Sequence, residues 1–154
     1  MERTASVGVE SRMVTMIVRP AISTDIDTIL RMDSSTPIDQ SRRALVHSAV
    51  DRSECFVAVD DGILAGYGLM DYGFFGRGFV SLVHVDAAHR RRGVGGSLFD
   101  EFERRCASSR IFTSMNLSNL VMQAFLVSRR YVLSGVVHHL DEGDPEMLYS
   151  KQLR

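Results

Sequence analysis

The clearest feature along the chain is a repeated change of hydrophobic period. Residues 13–20, "MVTMIVRP", are rich in β-branched side chains and stop at a proline, which predicts a strand. After it Ile22, Ile26, Ile29 and Leu30 recur at helical spacing, with acids in the first turn and Ser23 placed as the N-cap. A second helix is predicted over 39–52. "ECFVAVDDGILAGYGLMDYG" places two apolar runs around Asp61-Gly62, a pair suited to a tight hairpin turn with positive φ. Residues 79–86, "FVSLVHVD", are nearly all strand formers and predict a central strand. In the helix that follows, Val94, Leu98, Phe102 and Cys106 recur every fourth residue, with charges on the other faces. A short strand "RIFTSMN", a helix "SNLVMQAFLVSRR" capped by Ser118 or Asn119, and two strands around "DEGDP" complete the chain. The order β-α-α-β-β-β-α-β-α-β-β predicts one mixed α/β domain.

Composition narrows the function. A chain of 154 residues holds one domain with a real core, expected over 13–154. Residues 1–12 are polar and patternless and read as a disordered tail, with Met13 or Met16 as alternative starts. The formal net charge of −1 argues against a general nucleic-acid binder. No 18-residue apolar run predicts a membrane span, and the N-terminus has no signal-peptide pattern. Cys55 and Cys106 fit no metal or disulfide framework and read as buried thiols in a reducing cytoplasm, so the protein is expected to be cytoplasmic. His138 and His139 lack metal-ligand spacing, so no metal is expected. Lys151 is the only lysine, which composition does not explain.

The chemistry concentrates in "HRRRGVGG", residues 89–96, between the central strand and an amphipathic helix. A helix N-terminus carries amides without intrahelical partners and a partial positive charge. Glycines at 93, 95 and 96 remove side chains that would keep a phosphate from those amides, so the segment predicts a pyrophosphate cradle. A Walker loop needs Gly-Lys-Ser/Thr, and there is no lysine here. A dinucleotide fingerprint needs glycine where Leu98 stands and an acid after the next strand, and both are missing.

Arg90-Arg91-Arg92-Gly93-Val94-Gly95 resembles the Arg/Gln-x-x-Gly-x-Gly/Ala motif of the GNAT acyltransferase superfamily. "NLVMQAFLVSRRYVLSG" is similar to that family's Asn-x-x-Ala-x-x-Leu-Tyr-x-x-x-Gly-Phe segment, and the element order agrees from about Val14 to Lys151. The resemblance implies a mostly antiparallel sheet, flanked by about four helices, that splits between two neighbouring strands after Val85. It implies acetyl-CoA as cosubstrate. Its pyrophosphate would lie on Arg91, Arg92, Gly93, Val94, Gly95, Gly96 and Ser97, with Arg90, Arg91 and Arg92 adding charge. Its pantetheine arm would pair with the backbone of Val83, His84 and Val85. Asn119, Met122 and Phe125 would lie along the late helix on the cofactor side.

Two positions depart from the family pattern. Leu126 stands where many relatives carry a tyrosine acid, and Phe79 or Ser81 where many carry a glutamate base. His84 is the one titratable residue in the central strand, and a histidine's ordinary pKa near 6.5 suits a general base. By alternation, His84 faces away from Val83 and Val85. "LDEGDPE" sets Asp141, Glu142, Asp144 and Glu146 around the last turn, either as a solvated acidic turn or, through Glu142, as a contact for a cationic acceptor. In this family the early helices, with Asp33 and His47, shape acceptor choice, so Asp33 is the other candidate acceptor contact. Two readings follow. One is an N-acetyltransferase acting on a small-molecule or peptide amine; the other is an acyl-CoA-binding module of the same fold that turns little over. The resemblance also leaves room for a homodimer through edge strands.

Overall fold

A computed structural model describes residues 15–33 and 40–154. The tail over 1–12 and the start of the first strand lie outside them. The strands are β1 (Met16–Pro20), β2 (Cys55–Asp60), β3 (Ile63–Phe74), β4 (Arg77–Val85), β5 (Arg110–Asn116), β6 (Val132–Val137) and β7 (Glu146–Gln152). The helices are α1 (Ile26–Met32), α2 (Gln40–Asp51), α3 (Val94–Arg105) and α4 (Leu120–Ser128). One sheet runs β1-β2-β3-β4-β5-β7-β6, antiparallel throughout except that β4 and β5 are parallel.

Period-two alternation gives the sheet two apolar faces. Phe56, Ala58, Ala65 and Val80 face Leu98, Phe99 and Phe102 of α3, while Cys55, Val57, Tyr67 and Leu69 face Ile29 and Val46 of α1 and α2. Gly66 and Gly68 let α3 approach β3. A Cβ on Gly66 would stand 2.8 Å from Val94 Cγ1, and one on Gly68 2.7 Å from Phe102 Cζ.

The hairpin turn behaves as its sequence predicts, with Asp61 and Gly62 at φ of 50° and 80°. The start of the first helix does not. Ser23 is no cap; it begins a 3-10 turn in which Asp25 accepts the Ile22 amide at 2.8 Å and Arg19 at 2.7 and 3.0 Å. A carboxylate three residues in, already paired with arginine, outcompetes a serine hydroxyl for that amide.

Glu101, late in α3, accepts from Arg104 at 2.6 and 3.0 Å and from Arg105 at 2.5 Å. The Arg104 bonds foremost hold its carboxyl down to about 2 from an ordinary 4.5. A depressed folded value stabilises above the unfolded pKa and is lost as pH falls through the folded one. The Tm gap between wild type and Glu101→Gln at pH 7 therefore closes between pH 4.5 and 2, as thermal melts across that range would show.

Candidate active site

The split in the sheet comes earlier than the resemblance implies. β4 and β5 pair only through Gly78, Phe79 and Val80, opposite Ile111, Phe112 and Thr113. The strands part after Val80, not Val85. Thr113 Oγ1 closes the vertex by donating to the Val80 carbonyl at 2.9 Å. Beyond it the fourth of seven strands, which would otherwise be covered on both edges, has an exposed Ser81 and only half-buried residues from Leu82 to Val85.

The open edge has a defined polarity. The Asp86 amide donates to Ala65 of β3 at 2.8 Å. Peptide groups alternate along a strand, so those of Val85 and Val83 point the other way, into the gap. The β4 backbone can therefore accept a further extended chain there.

The gap ends on the glycine loop. Asp86 Oδ2 accepts from His89 Nδ1 at 3.0 Å, and the chain reaches α3 through Arg91 at φ 63° and Gly93 at φ 81°. Gly93 caps α3 with no side-chain bond to its first turn, and the first helical bond is Ser97 N to Gly93 O at 2.9 Å. The amides of Val94, Gly95 and Gly96 thus lie ahead of the helical ladder.

Two of the glycines have no packing cause. A Cβ on Gly95 would meet only Phe125 and Val85 at 3.9 Å, and one on Gly96 only Arg129 Nη1 at 3.5 Å. Glycine inside a helix costs about 1 kcal/mol relative to alanine. Surface left bare at that cost is surface for a ligand to approach, and the donors there suit an anion such as a pyrophosphate.

The other expected residues divide. Val85, Gly95 and Phe125 are brought together, as the same contacts show, and Met122 packs against the α3-side core. The Val94 side chain is buried at 1% exposure, so only its backbone can face a ligand. Arg90 and Arg91 are exposed. Arg92 turns to β2, its Nε 3.4 Å from Asp60 Oδ2, a carboxylate 2% exposed. Asn119 caps α4, accepting the Met122 amide at 3.1 Å. Leu126 is fully buried. Sequence reading missed Arg129, whose guanidinium reaches Gly96 while pairing with Asp100 at 2.5 Å and lying over the Phe99 and Phe125 rings. Nothing in its local pattern separates it from its neighbour Arg130.

On the far wall, Asp141 accepts Asn116 Nδ2 at 2.8 Å, and Asp144 takes the Ser118 amide at 3.0 Å and its hydroxyl at 2.6 Å. These carboxylates fasten the last turn to the end of β5. Glu142 is exposed on that turn. Asp33 is a buried carboxylate, accepting the Tyr67 hydroxyl at 2.8 Å and Arg42 Nη1 at 3.0 Å, with His84 Nδ1 3.5 Å away. No group of three His, Cys, Asp or Glu among the described residues could hold a metal. No helix among them is long and apolar enough to cross a membrane.

The sheet thus splits between β4 and β5, and the strand on one side of the split runs into a glycine-rich helix start. The acetyltransferase (GNAT) family model matches residues 24–129, and the chain belongs to that family. A GNAT-family acetyltransferase from Bacillus cereus ATCC 10987 is 32% identical and superposes with a TM-score of 0.84, over 90% of this chain and 97% of that one. Ard1 from Thermoplasma volcanium is 16% identical with a TM-score of 0.78, over 90% and 98% of the two chains. YncA, a putative acetyltransferase from Salmonella typhimurium with its cofactor acetyl-CoA, is 18% identical with a TM-score of 0.71, over 90% and 94%. Among curated proteins, none matches the chain in sequence.

Proposed function

We propose that the protein is an acetyl-CoA-dependent N-acetyltransferase that moves the acetyl group directly to a primary amine of a small molecule or peptide. The observation that carries this reading is the continuity of the open β4 edge with the uncapped first turn of α3. Val83 and Val85 offer backbone groups to the amides of a pantetheine arm, and the amides of residues 91–96 receive a pyrophosphate, that of Ser97 being taken up by Gly93. Arg90 and Arg91 supply further positive charge, while Arg92, tied to Asp60, anchors the loop to β2. The resulting affinity comes mainly from backbone, so it depends on glycine more than on any one arginine.

Direct transfer needs little from Leu126. Placing amine and thioester in one slot supplies roughly 7–11 kcal/mol, whereas one acid or base supplies about 10²–10⁴-fold. With Asp141 and Asp144 committed to the turn, Glu142, exposed on it, is the carboxylate we assign to meet a cationic acceptor. The exposed, uncharged edge of β6, with Val132, Leu133, Val136 and Val137, supports pairing into a homodimer. The cytoplasm, where acetyl-CoA and reduced thiols coexist, is the proposed location.

Titration with acetyl-CoA gives saturable binding, which Gly95→Asp removes by setting a carboxylate against the phosphates. Absence of binding by the wild type at millimolar ligand overturns the proposal. A second reading, an acyl-CoA-binding module, is favoured by Leu126 and Ser81 at the usual acid and base positions. Thiol release across a panel of amines excludes it.

A further inference from the structure

We propose that His84 is the general base of this transfer and that Asp33 is the residue that positions it. The inference rests on the transferase reading and adds the base that Phe79 and Ser81 cannot provide.

A β-bulge aims the imidazole. Leu69 pairs with Leu82 and Met70 with Val80, so Ser81 is an extra residue on β4. Val80 lies in the core beneath α3. In an unbroken strand every second residue shares a face, which would put His84 on that same side. The inserted Ser81 reverses the phase: Val83 and Val85 pack toward α3, and Leu82 packs toward α1 and α2. His84 follows Leu82, its ring centroid 5.9 Å from that of Tyr67. Bulges recur beside active sites because they re-aim side chains in this way.

Among the described residues, the groups facing His84 there are Asp33 at the C-cap of α1, Tyr67 from β3 and, through Asp33, Arg42 from α2. Tyr67 and Arg42 both donate to Asp33 Oδ2, which leaves Oδ1 directed at His84 Nδ1, 3.5 Å away. Burial first, and then the bond to Asp33, holds the Tyr67 hydroxyl well above its ordinary pKa, so it remains a donor. A carboxylate beside Nδ1 selects the tautomer protonated there and leaves a lone pair on Nε2. The imidazole keeps 19% exposure, on a strand whose Val83 and Val85 backbone faces the gap.

In the transfer, His84 Nε2 takes a proton from the acceptor ammonium. The freed amine nitrogen bonds to the thioester carbonyl carbon, the C–S bond breaks, and the second proton shed by that nitrogen passes through water to the leaving thiolate. The proton on His84 then returns to solvent. Asp33 touches no reacting atom; it fixes which nitrogen is basic.

Two measurements on the full chain decide this. Long-range ¹H–¹⁵N spectra of ¹⁵N-histidine-labelled wild type show His84 protonated at Nδ1 and bare at Nε2; an Nε2-protonated ring overturns the proposal. With ethylamine as probe acceptor, His84→Ala slows CoA thiol release by about 10²–10⁴-fold, while the Kd for acetyl-CoA stays within about twofold. The acid limb of the kcat/KM profile disappears in the variant, and added imidazole restores part of the rate. Undiminished turnover by His84→Ala overturns the proposal, as does wild-type thiol release no faster than in buffer. Failure of the wild type to bind acetyl-CoA is a different result, and it removes the transferase reading itself.

Discussion

Phe102→Ala lowers the unfolding free energy by about 3–5 kcal/mol, the range for truncating a buried phenylalanine. Phe102 is fully buried and meets Phe56 and Phe99 edge to face, at centroid distances of 5.6 and 6.0 Å. It is also the contact through which α3 lies on Gly68. The rest of the core cannot collapse into the vacated space without moving α3 off the sheet. A calorimetric melt then shows Tm lower by on the order of 10 °C, taking about 2–4 °C per kcal/mol for a domain of this size. The same contact predicts coupling. Gly68→Ala alone forces its methyl onto the Phe102 ring and destabilises; in the Phe102→Ala background the ring clash is gone and only the 3.0 Å approach to the Leu82 carbonyl remains. The double variant therefore loses less than the sum of the singles, and strict additivity would show that α3 does not rest on Gly68.

Glu103→Ala costs about 3 kcal/mol, the low end for breaking a buried ion pair. Glu103 accepts Lys151 Nζ at 2.9 Å and the Tyr131 hydroxyl at 3.1 Å, with Arg129 at 3.4 Å. Its removal strands an ammonium and a hydroxyl on a tyrosine only 2% exposed. Burial above all, then Glu103, pushes the Tyr131 pKa up, so that hydroxyl cannot ionise to find another partner. Glu101, two residues away and covered to the same degree, is the internal control: Glu101→Ala costs less than about 1 kcal/mol because its partners Arg104 and Arg105, 66% and 38% exposed, stay solvated. Urea unfolding of both variants checks the contrast. The chain's single lysine, Lys151, belongs to this knot. Lys151 joins β7 to α3 and lies 5.7 Å from the centre of the Tyr131 ring. Arg129, which shares Glu103 with Lys151, reaches Gly96, so the knot extends to the first turn of α3.

Much of the fold was legible because its determinants are local. Strand and helix periods, the Asp61-Gly62 turn and the glycine cluster each depend on residues a few positions apart. The cap at Ser23 was misjudged for a reason that is itself physical: Arg19 lies on the preceding strand, and its pairing with Asp25 gave the turn a stronger acceptor. Asn119 shows the converse. Of the two caps the sequence allows, Ser118 and Asn119, it is Asn119 that caps, and the same bond commits its side chain to α4. Arg92 illustrates the limit for charges. Three consecutive arginines look equivalent in sequence, but only Arg92 stands opposite the buried carboxylate of Asp60.

By itself, then, the sequence determined the order of elements, a mixed α/β domain, and a glycine loop at a helix N-terminus fit for a pyrophosphate. The tertiary structure alone decided where the sheet parts, on which face His84 lies, and which carboxylate meets it. A strand's register against its neighbours is set by packing across the whole sheet. One extra residue at Ser81 reverses every side chain beyond it, and nothing within "FVSLVHVD" marks that residue as extra. Asp33 and His84, far apart in the chain, become neighbours only once α1 has settled on that face.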